Sequence, residues 1–305
     1  MLKKLSFSMK GVCPILVIGT MSSGKSTLIN ALAGNDLLPS RNRACTAKEV
    51  AILVNDWKLQ FAIHKIDSNG KYSLVEKATP KDISDFNQAN DITEMIIEGA
   101  IKGIKSHKKL LLIIDTPGVN SMNPAHEKVT KEVVDEYLDE CLEGLILYVI
   151  NAQQIAVYDD NVFLTYIAGR LKKNSDFNII FVINKMDSID LAREKQDELL
   201  ADCKKYIQER GIVNPVLIPV SAGSALLFRK VLNEEDISEF EEENFARDFS
   251  HYKRKEHSVV DQMSGWGGET DFVQIDGARY TKAEIYAALK NTGIVTLENE
   301  LAKHY

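Results

Sequence analysis

The chain alternates short, continuous apolar runs with amphipathic or charged stretches. Cys13-Pro14-Ile15-Leu16-Val17-Ile18, Leu110-Leu111-Leu112-Ile113-Ile114, Asn178-Ile179-Ile180-Phe181-Val182-Ile183 and Val216-Leu217-Ile218-Pro219-Val220 are short and mostly apolar, with many β-branched residues. Strands covered on both faces read that way. Thr27 to Ala33 predicts a helix, with Gly34 just past its end. Ile189 to Gly211, with Ile189, Leu191, Leu199, Leu200 and Ile207 as its apolar members, predicts a peripheral helix over the sheet. Lys58 to Ile66 and Lys71 to Lys77 alternate around Asp67-Ser68-Asn69-Gly70, a hairpin signal, and Pro80 to Ile101 reads as a helix. Thr281 with Glu284 predicts a capping box for a helix that runs through Asn291 and ends at Gly293.

Chemistry gathers at the ends of the strands. Gly19-Thr20-Met21-Ser22-Ser23-Gly24-Lys25-Ser26, followed by Thr27, joins the first strand to the first helix. Strand, glycine-bounded loop and helix together aim backbone N–H groups and a positive helix end at phosphates. Gly19 and Gly24 let the backbone wrap closely. Lys25 is placed to reach the β- and γ-phosphates, and the Ser26 hydroxyl to hold Mg²⁺. Asp115, at the mouth of the second strand, is a further metal ligand, acting through water. Pro117 and Gly118 then turn the chain, so that the Gly118 N–H can face the γ-phosphate. Alone, Asp115-Thr116-Pro117-Gly118 would be an ordinary turn.

The third strand delivers Asn184-Lys185-Met186-Asp187. A carboxylate at Asp187 can accept from both N1–H and the 2-amino group of guanine. Adenine offers an acceptor and a C–H there and would leave a buried Asp187 unpaired, which discriminates strongly. Asn184 would tie the loops together and the Lys185 stem would cover one face of the base. Ser221-Ala222, after the fourth strand, completes the reader, with the Ala222 N–H on guanine O6. Among the residues after Leu37-Leu38-Pro39, Thr46 is the candidate to complete the Mg²⁺ shell and orient the attacking water. These motifs imply a GTP/GDP site on an α/β fold of the P-loop NTPase type: a doubly wound, mostly parallel sheet with helices on both faces.

Gly19 through Leu38-Pro39, with Ser22-Ser23, Leu28-Ile29-Asn30-Ala31-Leu32 and Gly34, resembles the GTPase domain of dynamin-like proteins, especially bacterial ones. Thr292 to Leu301 resembles the stretch that closes that domain. The long chain between Thr46 and Asp115 agrees with an extended domain of this type. The resemblance implies hydrolysis of GTP to GDP and phosphate, Ser22 as a catalytic phosphate-loop serine alongside Lys25, Thr46 and Gly118, and a homodimer formed across the nucleotide when GTP is bound. It also implies a monovalent cation, K⁺ or Na⁺, that offsets transition-state charge. Val119 and Asn120 follow Gly118, where small signalling GTPases soon place a water-orienting glutamine. Met21 stands where eukaryotic dynamins carry a glutamine. The expected organisation is one GTPase domain over residues 1–305, with a hairpin and helix insertion at about 55–108 and a second insertion at about 230–280. The helical stalk of membrane-remodelling relatives is expected on another chain or elsewhere in a longer protein, so any membrane contact is indirect.

Composition narrows the alternatives. With 305 residues and 45% hydrophobic content, one domain can bury a full core. Cys13, Cys45, Cys141 and Cys203 show no paired metal spacing, which points to a reducing cytoplasm, with peripheral placement at the inner membrane surface as the membrane-linked variant. No run reaches the length of a spanning helix. The formal net charge of −7 disfavours a broad nucleic-acid surface and, with it, a ribosome-associated GTPase. A nucleotide-gated interaction module with little hydrolysis is the other alternative. Ser224 to Tyr280 carries an acidic run (Glu234, Glu235, Asp236, Glu239, Glu241 to Glu243) and a basic one from His251 to His257. Solvated helix faces on an insertion are the simpler reading; a partner surface with Ser264 to Gly268 as an exposed loop is the sharper one.

Overall fold

Each apolar run divides its side chains between two cores. Ile15 and Val17 of β1 (Val12–Gly19) face one side of the sheet, and Leu16 and Ile18 face the other. The same split separates Leu111 and Ile113 from Leu112 and Ile114 in β6 (Leu110–Asp115). It also separates Leu145, Leu147 and Val149 from Ile146, Tyr148 and Ile150 in β7 (Gly144–Asn151). A strand buried on both faces needs apolar residues at every position, which is why these runs are continuous. The computed structural model describes residues 11–38, 49–58, 60–104, 110–119, 124–141, 144–155, 158–173, 177–189, 195–253 and 271–304.

The remaining sheet strands are β2 (Glu49–Val54), β3 (Ala62–Asp67), β4 (Tyr72–Val75), β5 (Ile92–Gly99), β8 (Phe177–Asn184) and β9 (Val216–Pro219). Among the described residues the nine run in the order β4-β3-β5-β2-β6-β1-β7-β8-β9. From β6 to β9 every pairing is parallel, as is β2 with β5, whereas β2–β6, β3–β5 and β3–β4 are antiparallel. One face is covered by α1 (Lys25–Ala33), α6 (Ala222–Leu232), α7 (Glu239–Tyr252), α8 (Lys282–Asn291) and α9 (Ile294–Leu301). The other carries α3 (Pro124–Glu140), α4 (Tyr158–Leu171) and α5 (Gln196–Glu209). The sheet is doubly wound and mostly parallel, as the apolar runs predict. Among the described residues, no helix is long and apolar enough to cross a membrane.

Several local expectations hold. Gly34 ends α1 at φ 73°, β3 and β4 form the hairpin, and Thr281 and Glu284 cap α8 reciprocally. Gly293 ends the α8 region at φ 82°, and its main chain passes so close to Pro219 that a Cβ would collide with the Pro219 carbonyl oxygen. The Thr292–Leu301 stretch holds the α8–α9 junction and α9, where Glu298 pairs with buried Arg229; Arg229 Nη1 also donates to the Ala31 carbonyl at the end of α1 (2.5 Å).

Two segments differ. Pro80 to Ile101 is not one helix: α2 (Pro80–Gln88), opened by a Thr79–Asp82 capping box, is followed by β5. Met95, Ile96 and Ile97 are buried between β2 and β3, so pairing with two strands overrides the helical reading. The acidic run after Asn233 is not solvated all round. Glu239 and Glu243 face water on α7, but Phe245, Phe249 and Tyr252 on the opposite face are core residues. β10 (Phe272–Ile275) and β11 (Ala278–Thr281) form a further hairpin through Asp276-Gly277, both at positive φ, a turn signature present in the sequence. Ser264 to Gly268 and most of the His251–His257 stretch lie outside the described residues.

Candidate functional site

The parallel strands β1, β6 and β8 end on the same side of the sheet, at Gly19, Asp115 and Asn184, and the candidate residues meet there. The first bond of α1 runs from the Leu28 N–H to Gly24 O (2.8 Å), which leaves the N–H groups of Lys25, Ser26 and Thr27 at the open helix end. With no acidic residue in that first turn, the partial positive charge of the helix end is not offset by the chain. Lys25 is buried and folds back over the loop, its Nζ donating to Gly19 O (3.1 Å) and Thr20 O (3.0 Å). Burial pulls its pKa down to about 8, against the opposing pull of Asp115.

Ser26 Oγ donates to Asp115 Oδ2 (2.8 Å). Burial raises the Asp115 pKa, while Lys25 and Ser26 draw it back. Asp115 Oδ1 and Ser23 Oγ are enclosed and have no hydrogen-bond partner among the described residues. An unpartnered carboxylate oxygen beside a hydroxyl suits a hard, oxygen-seeking cation, and an unpartnered hydroxyl inside the loop suits a phosphate oxygen. The residues present therefore fit Mg²⁺ and a polyphosphate.

Gly118 lies against the loop. A Cβ there would sit 2.6 Å from Met21 Cα and 3.1 Å from Lys25 Nζ, so glycine is required by the close approach. The Val119 N–H donates to Gly19 O (3.2 Å), and the Met21 N–H donates to Val119 O (2.9 Å), so the Met21 amide is engaged within the protein. Thr116 Oγ1 donates to Val17 O (2.8 Å) and Thr130 Oγ1 to Pro117 O (2.9 Å), fixing this turn from two sides. Met21 and Ser22 are exposed at the loop's rim, Ser22 with φ 62°. Thr46 lies outside the described residues.

Asn184 joins the two halves of the site. Its Nδ2 donates to Ser23 O (2.9 Å) and its Oδ1 accepts from the Ala222 N–H (3.1 Å). A guanine O6 at Ala222 would have to share that amide. Lys185 sits at φ 65° with its Cε near Gly24, which places its stem along the edge of the phosphate loop. Asp187, on a short 3₁₀ turn (Met186–Ser188), is exposed rather than buried as expected, so any desolvation of it would have to come from a ligand. Ser221 is buried at the N-terminal boundary of α6, where its side chain makes no capping bond to the helix. The motif residues did not identify Tyr252, whose hydroxyl bonds Ser221 Oγ; no local pattern marks a contact between positions so far apart in sequence.

Gly24 shows how tightly the halves fit. It lies at φ 90°, and a Cβ on it would strike Asn184 Nδ2. Gly24→Ala is expected to break the Asn184–Ser23 bond and to lower unfolding stability by about 2 kcal/mol, from left-handed strain plus a lost buried hydrogen bond. Urea unfolding measures it; unchanged stability would mean that the loop is free to move away.

The Dynamin family model matches residues 15–186. A bacterial dynamin-like protein of Nostoc punctiforme is 29% identical over 192 residues, covering 59% of this chain and 26% of that protein. A protein described only by its position in the xynA 3′ region of Caldicellulosiruptor is 26% identical over 276 residues, covering 86% of this chain and 63% of its own. A solved structure of an oligomerised bacterial dynamin pair, described as a mechanism for long-range sensing and tethering of membranes, superposes with a TM-score of 0.50 at 20% identity. It covers 99% of this chain and 43% of that one, a likeness of fold. The chain spans about a quarter and just under two thirds of the two curated relatives' lengths.

Proposed function

The chain belongs to the dynamin family of GTPases, and we propose that it binds GTP with Mg²⁺ and hydrolyses it to GDP and phosphate, faster when two copies face each other across the nucleotide. The observation that carries this reading is the meeting of Lys25, Ser26 and Asp115 on one side of Asn184 with Ala222 on the other. Phosphate recognition and base recognition are thereby linked by one buried side chain.

In this reading Lys25 leaves the carbonyls of Gly19 and Thr20 for the β- and γ-phosphates, and the open N–H groups of α1 donate to the polyphosphate. Ser26, Asp115 and Thr46 would hold Mg²⁺, whose charge would offset that of the phosphates. Water attacks the γ-phosphorus, the bond to the β-phosphate oxygen breaks, and the water's proton leaves with the phosphate product. The Ser22 hydroxyl, on a residue exposed at the rim beside Met21, and the Gly118 N–H, on a turn packed against the loop, would act on the γ-phosphate side. A rim of this kind is open to a second copy and to a K⁺ or Na⁺ ion between the two. Asp187, Lys185, Ser221 and Ala222 take the guanine. The domain assignment, residues 1–305 with the added β3–β4–α2–β5 segment, belongs to the same proposal. So do a cytoplasmic location and a coupling to membrane remodelling through helical parts of a longer protein or a partner.

Specific activity measured across a hundredfold range of protein concentration tests the reading. It is expected to rise with concentration in the presence of K⁺ or Na⁺, and to drop by at least tenfold in Ser22→Gly, which removes the hydroxyl without straining a residue at φ 62°. Turnover that is slow and flat at all concentrations, with GTP binding retained, would favour the nucleotide-gated interaction module instead.

A further inference from the structure

The loop bearing Ser221 and Ala222 is held from behind. Tyr252 ends α7, and its hydroxyl hydrogen-bonds Ser221 Oγ with both residues buried. One turn earlier on the same helix, Asp248 accepts from Ser224 Oγ (2.7 Å), so α7 grips the first turn of α6 at two points. The Ser221 N–H donates to Thr292 O (2.9 Å), and Asn291 Nδ2 donates to Tyr252 O (2.7 Å), which brings the α8–α9 junction into the same unit. The Tyr252 ring packs edge-on against Phe228, fixing its orientation.

The residues on either side of Ser221 carry the guanine reader. The Met186 N–H donates to Val220 O (3.3 Å), and the Ala222 N–H donates to Asn184 Oδ1 (3.1 Å). Any shift of Ser221 therefore moves both ends of the Asn184–Asp187 loop. Burial pushes the Tyr252 phenol well above its ordinary pKa, against the Ser221 hydrogen bond, and the Asp187 and Asp248 charges add to the rise. The group stays a neutral hydroxyl, and it lies within electrostatic reach of Asp187.

We propose that Tyr252 is a specificity-determining positioning residue for guanine, which holds Ser221 so that Val220 and Ala222 set the Asp187 carboxylate against the N1–H and 2-amino edge of the base. The inference rests on the guanine-site reading above.

Dissociation constants for GDP and inosine diphosphate, which lacks the 2-amino group, test it in the wild type, Tyr252→Phe, Ser221→Ala and the double variant. Tyr252→Phe is expected to weaken GDP on the order of fivefold and inosine diphosphate less than about twofold, lowering the preference between them. The double variant is expected to match Ser221→Ala alone, because either change removes the same bond. Equal weakening of both nucleotides, or none, overturns the proposal, since a purely structural role would not alter their ratio. Asp187→Asn separates the two readings. If it leaves GDP binding unchanged, the guanine site itself is wrong; if it weakens GDP while Tyr252→Phe leaves the ratio intact, only the role of Tyr252 falls.

Discussion

Asp187→Asn is expected to weaken GDP binding by about a thousandfold and to make xanthosine diphosphate the preferred ligand. The carboxylate offers two acceptor oxygens to two donors of guanine, N1–H and the 2-amino group. Charge-assisted hydrogen bonds of this kind contribute about 1.5–3 kcal/mol each, and 1.4 kcal/mol is a factor of ten, so losing one bond and the charge on the other, and setting donor against donor, gives roughly that change. Asparagine keeps one acceptor and turns its other position into a donor, which opposes the 2-amino group but matches the C2 carbonyl of xanthine. Fold stability is expected to move by less than about 0.5 kcal/mol, because Asp187 is exposed and its side chain accepts a long hydrogen bond from the adjacent Ser188 Oγ (3.3 Å). Titrations with GDP, xanthosine diphosphate and ADP check the prediction. A variant that still prefers GDP would show that the base is read elsewhere.

Such a prediction can be framed from sequence because the site residues sit at strand ends, where short contiguous motifs are placed by the sheet. Asp115 and Asn184 follow apolar runs whose burial fixes where they stop, and Gly19, Gly24 and Gly118 mark close backbone approaches that no other residue allows. Local signals also served the turn at Asp67–Gly70 and the Thr281 cap. Legibility failed where the outcome depended on distant partners. Ile92–Gly99 is apolar enough for either helix or strand, and β2 and β3 on its two sides decided it. The charges of α7 conceal Phe245, Phe249 and Tyr252, whose burial depends on α6 and β11 packing against them. Charge counted along the chain reports only the wet face of such a helix, and the other face bonds Ser221 and Ser224 at the start of α6.

Lys25 sets the second large effect, and its sign depends on whether nucleotide is present. In the free protein, burial holds its pKa at about 8, below the ordinary lysine value of about 10.4. The unfolded chain therefore binds more protons between pH 8 and about 10.4, so stability rises with pH across that window, and at pH 7 the buried ammonium is a net cost. Lys25→Met is expected to raise the stability of the nucleotide-free protein at pH 7 by about 2 kcal/mol, less than the full shift implies because the bonds to Gly19 O and Thr20 O are lost. With phosphate bound, the same ammonium gains anionic partners and its pKa climbs, so binding above pH 8 takes up a proton. GDP affinity in the wild type is then expected to be level between about pH 7 and 8 and to fall toward tenfold per unit at higher pH. Lys25→Met should bind at least about a hundredfold more weakly at pH 7, with this pH slope absent. Urea unfolding without nucleotide, paired with GDP titrations from pH 7 to 9.5, reads both arms. A Lys25→Met protein that is less stable and keeps the slope would place the phosphate charge on another residue; one that is more stable yet binds poorly would mark Lys25 as a group the fold tolerates for the sake of its ligand.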